Sequence, residues 1–78
     1  MYYNLGLISA NKGQDTIAVA YWNHTLKLNP KFADAYYGLG VIAGKHEMIE
    51  DKIKYFQLAA RNGNMKAQEY LQKIDQKW

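Results

Sequence analysis

The spacing of apolar and polar residues predicts a chain built from five helices. Apolar residues recur three or four positions apart over nearly the whole sequence, which is the period of a helix that buries one face. Gly13, the pair Asn29-Pro30 and Gly63 interrupt this pattern as helix stop signals, and Gly44 stands just past the third stretch. The predicted helices span residues 2–12, 15–28, 32–43, 49–62 and 64–77.

The same pattern predicts which side of each helix is buried. We expect Leu5, Leu39 and Leu71 to form the core together with the aromatic residues Trp22 and Phe56. The predicted buried stripes are Tyr2, Leu5, Ile8 and Ser9 on the first helix; Ala18, Tyr21, Trp22, Thr25, Leu26 and Leu28 on the second; Ile49, Ile53, Phe56, Ala59 and Ala60 on the fourth; and Ala67, Tyr70, Leu71 and Ile74 on the fifth.

The chain also repeats itself. The segment 2–8, Tyr-Tyr-Asn-Leu-Gly-Leu-Ile, returns thirty-four residues later as 36–42, Tyr-Tyr-Gly-Leu-Gly-Val-Ile, with five of seven positions identical. A period of about 20–50 residues indicates stacked helical units that bury each other's apolar faces. We therefore expect one all-α domain over residues 1–78, with repeat one at 1–32, repeat two at 33–64 and a C-terminal capping helix at 65–78.

Two glycines stand at equivalent places inside the predicted helices. Gly6 and Gly40 each cost about 1 kcal/mol relative to alanine at such a position. Their recurrence predicts that a partner helix approaches closely there. A nucleotide-binding loop is not indicated, because Gly40 lies within a helix and not at a turn between a strand and a helix.

These residues carry a resemblance to a known superfamily. The first unit resembles a tetratricopeptide repeat (TPR) in Tyr2-Tyr3-Asn4-Leu5-Gly6, Ala18, Trp22 and Leu28-Asn29-Pro30. The second unit is similar to the Sel1-like variant in Ala33-Asp34-Ala35-Tyr36, Leu39-Gly40-Val41, Asp51, Lys54-Tyr55-Phe56, Ala59-Ala60, Gly63 and Ala67-Gln68. The chain departs from the pattern at Ser9 and Ala43, where a large aromatic is usual, and at Lys52, where alanine is usual. Lys52 must extend toward solvent or open the hairpin.

The resemblance implies a right-handed stack of antiparallel helical hairpins, an αα-superhelix, that acts as a non-catalytic adaptor or scaffold. In such a stack the first helix of each hairpin lines a concave groove that holds a peptide segment of a protein partner. The groove positions carried over to this sequence are Tyr3, Leu7, Asn11, Asp34, Tyr37, Val41, Lys45, Lys66, Glu69 and Lys73. Tyrosine rings beside a lysine-bearing helix would suit a peptide with apolar anchors and an acidic end. The carboxylate-gripping subtype is disfavoured, because Tyr3 and Leu7 stand where it needs lysine and asparagine.

Charge and composition argue against other classes. The net charge of +3 is spread as +1 over each of residues 1–30, 31–62 and 63–78, so neither a nucleic-acid partner nor a membrane surface is expected. There is no cysteine, and His24 and His46 have no companion ligand at metal spacing. We expect no enzyme activity, no metal and no cofactor. No signal peptide or membrane-spanning stretch is visible, which favours the cytoplasm.

Self-assembly is the alternative function. Helical repeats need about three units for stability, and this chain has two and a half. Nothing in the sequence caps the start of the first helix, which suggests either excision from a longer or engineered array, or burial against another chain. Met1, Tyr2 and Tyr3 could then pack on a second copy. The polar outer side of the last helix favours a closed homodimer over open growth.

Overall fold

A computed structural model describes residues 2–78 and is helical throughout its regular structure. The helices are α1 (Tyr2–Asn11), α2 (Asp15–Leu28), α3 (Ala33–Lys45), α4 (Ile49–Arg61) and α5 (Met65–Lys73). Consecutive helices pack on each other as hairpins, α1 on α2 and α3 on α4, and α5 packs on α4. The prediction of an all-α helical-repeat fold is confirmed. Met1, to which the sequence assigns a part in self-assembly, lies outside the described residues.

Four of the five helices end with the same backbone turn. Each has a residue with positive φ after its last turn, and the next amide donates five residues back, as from Gln14 N to Ser9 O at 2.8 Å and from Asn64 N to Ala59 O at 3.0 Å. This is the Schellman arrangement, which satisfies carbonyls that the helix leaves free. Gly13 and Gly63 supply the positive φ after α1 and α4, as the sequence predicts.

Two helix ends differ from the prediction by two residues or more, and the other bounds agree to within one residue. Helix α3 continues past Gly44 to Lys45, and Glu47, at φ 61°, takes the left-handed position. Helix α5 ends at Lys73, four residues before the predicted end, because Asp75 also adopts φ 61° and the Gln76 amide closes the turn on Leu71 O at 2.8 Å. A sequence pattern predicts this turn from a glycine, and neither Glu47 nor Asp75 is a glycine.

The core consists of two clusters, each built around one aromatic ring. Trp22 is buried between α1 and α3, and Phe56 is buried between α3 and α5. The first cluster contains Ala18, Trp22, Ala35, Leu39 and Ile42, and the second contains Phe56, Ala59, Ala60, Ala67 and Leu71. The two rings stand thirty-four residues apart in sequence, so the repeat is a repeat of core-filling positions.

Of the predicted buried stripe of the first helix, only Ser9 is buried, and Tyr2, Leu5 and Ile8 are exposed. Gly6 and Ser9 are its buried residues, whereas Leu5 is 38% exposed and does not match Leu39 in the core. The reason is the Trp22 ring, which lies directly against Gly6 and leaves no room for a side chain there. Elsewhere, Leu28, Ile49 and Ile74 of the predicted buried stripes are also exposed.

Close packing is confirmed at Gly6 and Gly40, the two predicted positions, with the rings of Trp22 and Phe56 as the close neighbours. Gly38, which the prediction did not include, also adjoins the Trp22 ring. A Cβ atom on Gly38 would lie 2.8 Å from the Trp22 ring, and one on Gly40 would lie 2.5 Å from the Phe56 ring. Each glycine therefore forms part of a slot that holds a flat side chain. These slots fix the spacing between neighbouring helices, and that spacing shapes the surface described next.

Candidate functional site

A groove of about 610 Å³ runs between α1, α3 and the start of α5. The repeated first helices of the two hairpins form its walls, and the turn before α5 closes one end. Seven of the ten residues assigned to a groove from the sequence line this surface: Tyr3, Leu7, Asn11, Asp34, Tyr37, Val41 and Lys66. Ala10, Trp22, Gly38, Gly63, Asn64 and Met65 complete the lining. We call this surface the groove.

The middle of the groove is apolar. Leu7 of α1 and Val41 of α3 are 38% and 47% exposed, although both are aliphatic. Tyr37 lines the same groove, and its ring stacks on Phe56 of the core with centroids 5.1 Å apart and planes 15° apart. Aliphatic side chains beside a ring that is held in place provide a firm apolar contact for another side chain.

One edge of the groove is polar. The Asn64 side chain donates from Nδ2 to Asp34 Oδ1 at 2.9 Å and accepts at Oδ1 from the Ala67 amide at 2.8 Å. Asn64 therefore caps α5 and at the same time fixes the Asp34 carboxylate on α3. Burial raises the pKa of the nearby Tyr3 phenol, and the negative charge of Asp34 raises it further. Lys66 brings an ammonium group to the same edge.

The other three residues assigned to a groove lie outside this lining. Lys45 Nζ is 3.2 Å from Asp15 Oδ1, and His46 Nε2 is 3.0 Å from Asp15 Oδ2. This cluster joins the start of α2 to the end of α3. The Lys45 hydrogen bond lowers the pKa of the Asp15 carboxyl; partial burial opposes this shift, and His46 adds to it. Glu69 and Lys73 stand exposed on α5.

A second cleft of about 260 Å³ extends from the groove between α3, α4 and α5. Tyr37 and Val41 line both cavities, and the cleft is completed by Gly44, Lys52, Phe56 and Tyr70. The stem of Lys52 crosses the space that Gly44 leaves open, and its Nζ lies 4.6 Å from the centre of the Tyr70 ring. Lys52 thus extends along the surface without opening the hairpin. Lys52 was not assigned to a site from the sequence, although its departure from the alanine of the family pattern was an available signal.

A separate apolar surface covers the outer side of α1 and α2. Its cavity of about 410 Å³ is lined by Tyr2, Thr16, Ile17, Ala20, Tyr21 and His24, and we call it the N-terminal face. Tyr2 contacts His24 edge-on, with ring centroids 4.2 Å apart. From the sequence, Tyr3 is grouped with Tyr2 for packing on a second copy. Tyr3 instead points to the other side and packs on Phe32, with ring centroids 5.1 Å apart.

Within 2–78, no three histidine, aspartate or glutamate side chains come together as a metal site. His46 is held by Asp15, and His24 contacts Tyr2. None of the five helices is both long enough and apolar enough to span a bilayer.

Among known proteins, the chain is similar to an assembly protein. The chain is 37% identical over 65 residues to the photosystem I assembly protein Ycf3 of Acaryochloris marina, a match that covers 74% of this chain and 39% of that protein. The chain thus spans well under half the length of this relative. No protein-family model matches the chain, and no solved structure matches it significantly. The relative and the five-helix model are compatible with a TPR-like fold.

Proposed function

We propose that this chain is a TPR- or Sel1-like adaptor that binds an extended or helical segment of a protein partner in the groove. The observation that carries the proposal is the pair of exposed aliphatic residues, Leu7 and Val41, at corresponding positions of two repeated helices. They face one cavity whose size falls within the range of about 300–1,000 Å³ typical of ligand sites. The relative's printed role in assembly supports a protein partner.

The polar edge suits recognition of a peptide backbone or a polar side chain. Asp34 and Asn64 are already oriented by their mutual hydrogen bond, so a partner would not have to order them. Groups held in place before binding lose little entropy when the complex forms. Apolar anchors in the middle and oriented polar groups at the edge are the usual anatomy of a specific protein interface.

Binding fits this surface better than catalysis. The ionisable groups along the groove are Tyr3, Asp34, Tyr37 and Lys66. Burial and the charge of Asp34 raise the pKa of Tyr3, which makes this phenol a weaker acid near neutral pH. We therefore assign the chain a non-catalytic role. We divide it into repeat one at 1–32, repeat two at 33–64 and a capping helix at 65–78.

Self-association into a homodimer is the second candidate function. The observation that favours it is the N-terminal face, where Tyr2 and Ile17 are exposed beside Tyr21. No lysine, arginine, aspartate or glutamate lines this face, so two copies could meet there about a twofold axis without repulsion between such side chains.

Two matched variants separate these functions. The groove variant carries Leu7→Lys and Val41→Lys; the control carries Ile8→Lys and Ile17→Lys, which change two similarly exposed aliphatic residues outside the groove. Both variants add the same charge. Circular dichroism and urea unfolding must first show that each is folded.

The assay is binding of peptides selected from a random dodecapeptide display library against the native chain. We expect the groove variant to bind them about tenfold more weakly or worse, because a charge would replace each apolar anchor, and the control to bind them normally. Equal binding by both variants would refute the groove proposal. Light scattering on the same samples tests the homodimer, which the control variant should dissociate.

A further inference from the structure

We infer that Lys52 forms an anion-binding subsite that extends the groove and binds a carboxylate of the bound peptide. This inference rests on the proposed function. The subsite is the cleft between α3, α4 and α5, which meets the groove at Tyr37 and Val41. A peptide anchored on Val41 would therefore pass next to Lys52.

The packing around Lys52 holds its ammonium group at the cleft. A Cβ atom on Gly44 would lie 2.8 Å from Lys52 Cδ, so the glycine leaves the space that the lysine stem fills. The centre of the Tyr70 ring lies 4.6 Å from Nζ, and the ring stabilises the positive charge of the ammonium group. Tyr70 itself is fixed by edge contact with Phe56, at a centroid distance of 5.0 Å.

The charge at this cleft is unbalanced. Lys52 is the one charged residue among the six that line it, and no carboxylate of the described chain lies within 4.0 Å of its ammonium group. Lys45, by comparison, is neutralised by Asp15. A cation–π contact leaves the hydrogen-bonding positions of an ammonium group open to an acceptor. The complementary ligand group is a carboxylate beside an apolar anchor.

Such a carboxylate has two sources, an aspartate or glutamate side chain and the C-terminus of the peptide. At the polar edge of the groove the charge of Lys66 is offset by that of Asp34, whereas Lys52, across the apolar middle formed by Tyr37 and Val41, is the one charged residue lining its cleft. A bound peptide would thus have a preferred direction, with its carboxylate toward Lys52.

The test uses dodecapeptides selected on the native chain, labelled for fluorescence anisotropy. Each acidic residue is replaced by its amide, and separately the C-terminus is amidated, which distinguishes the two sources. We expect one of these changes to weaken binding to the native chain by about fivefold, as for a favourable, partly exposed ion pair. Added salt should reduce this difference.

The protein variants are Lys52→Gln, Lys52→Arg and the control Lys54→Gln, which removes an exposed charge on α4 outside the cleft. Lys52→Gln should bind the acidic and amide peptides equally, whereas Lys52→Arg and Lys54→Gln should keep the difference. This inference alone would be overturned if groove-bound peptides kept their affinity after losing the carboxylate. It would also be overturned if Lys52→Gln still bound the acidic peptide more tightly than the amide peptide by the same factor as the native chain. If no selected peptide loses affinity for the Leu7→Lys, Val41→Lys variant, the groove proposal fails as well.

Discussion

Adding a single methyl group at Gly40 tests whether the aromatic slots hold the helices at their spacing. In Gly40→Ala the new Cβ would lie 2.5 Å from two carbons of the Phe56 ring and 3.4 Å from the Lys52 carbonyl oxygen. The ring cannot easily move away, because it is stacked on Tyr37 at 5.1 Å and meets Tyr70 edge-on at 5.0 Å. The methyl group therefore has to displace a packed cluster.

Gly44→Ala provides a matched control in the same helix. There the new Cβ would lie 2.8 Å from Lys52 Cδ, in the middle of a flexible side chain that can shift. Both substitutions gain about 1 kcal/mol from the better helix propensity of alanine, so this gain cancels in their difference. What remains is the cost of overpacking at Phe56, typically about 1–3 kcal/mol.

We expect Gly40→Ala to be about 1–3 kcal/mol less stable than Gly44→Ala. The measurement is urea unfolding followed by circular dichroism, with thermal melts as a second readout. For a domain of this size, each kcal/mol corresponds to about 4–8 °C in the melting temperature. The reasoning would be refuted if Gly40→Ala were as stable as Gly44→Ala, since alanine would then fit against the ring without cost.

Two further predictions concern single residues. The pKa of Asp15 is lowered in the folded chain, so its contribution to stability is full above its unfolded value of about 3.8 and is lost as the pH falls through the lower folded value. The difference in melting temperature between the native chain and Asp15→Asn should therefore be larger at about pH 6 than at about pH 2, and an unchanged difference would contradict the Lys45 contact. Glu47→Gly should stabilise the chain by up to about 1 kcal/mol in urea unfolding, because glycine adopts the φ of 61° without strain. The same change at Lys54, within α4, should instead cost about 1 kcal/mol.

The periodic pattern in the sequence predicts the five helices because each of them buries one consistent side. It also predicts the glycine slots, since a glycine inside a helix is costly unless a neighbour needs the space. The pattern fails for α1, where it selects Leu5 and Ile8. The orientation of this helix depends on the Trp22 ring, which belongs to α2 and packs on the side of α1 that carries Gly6. Periodicity along one helix does not contain that information.

The candidate site shows the same division between local and non-local features. Seven assigned residues line the groove because their positions repeat with the helices that carry them. Lys45 lies elsewhere, because α3 extends past Gly44 and brings this lysine to Asp15 of the preceding hairpin. Lys52 could be noticed as an exception to the family pattern, but its place at the cleft depends on Gly44 and Tyr70 together. Such three-body packing is visible only in the folded chain.

The most direct test of the central claim is a map of the peptide footprint by NMR. Amide and methyl shifts of the labelled chain would be followed during titration with a peptide selected from the display library. We predict that the largest changes occur at Leu7, Tyr37 and Val41, with Ile17 and Ala20 of the N-terminal face unaffected. A footprint centred on Ile17 and Ala20 would contradict the groove account and would indicate that the N-terminal face is the binding surface.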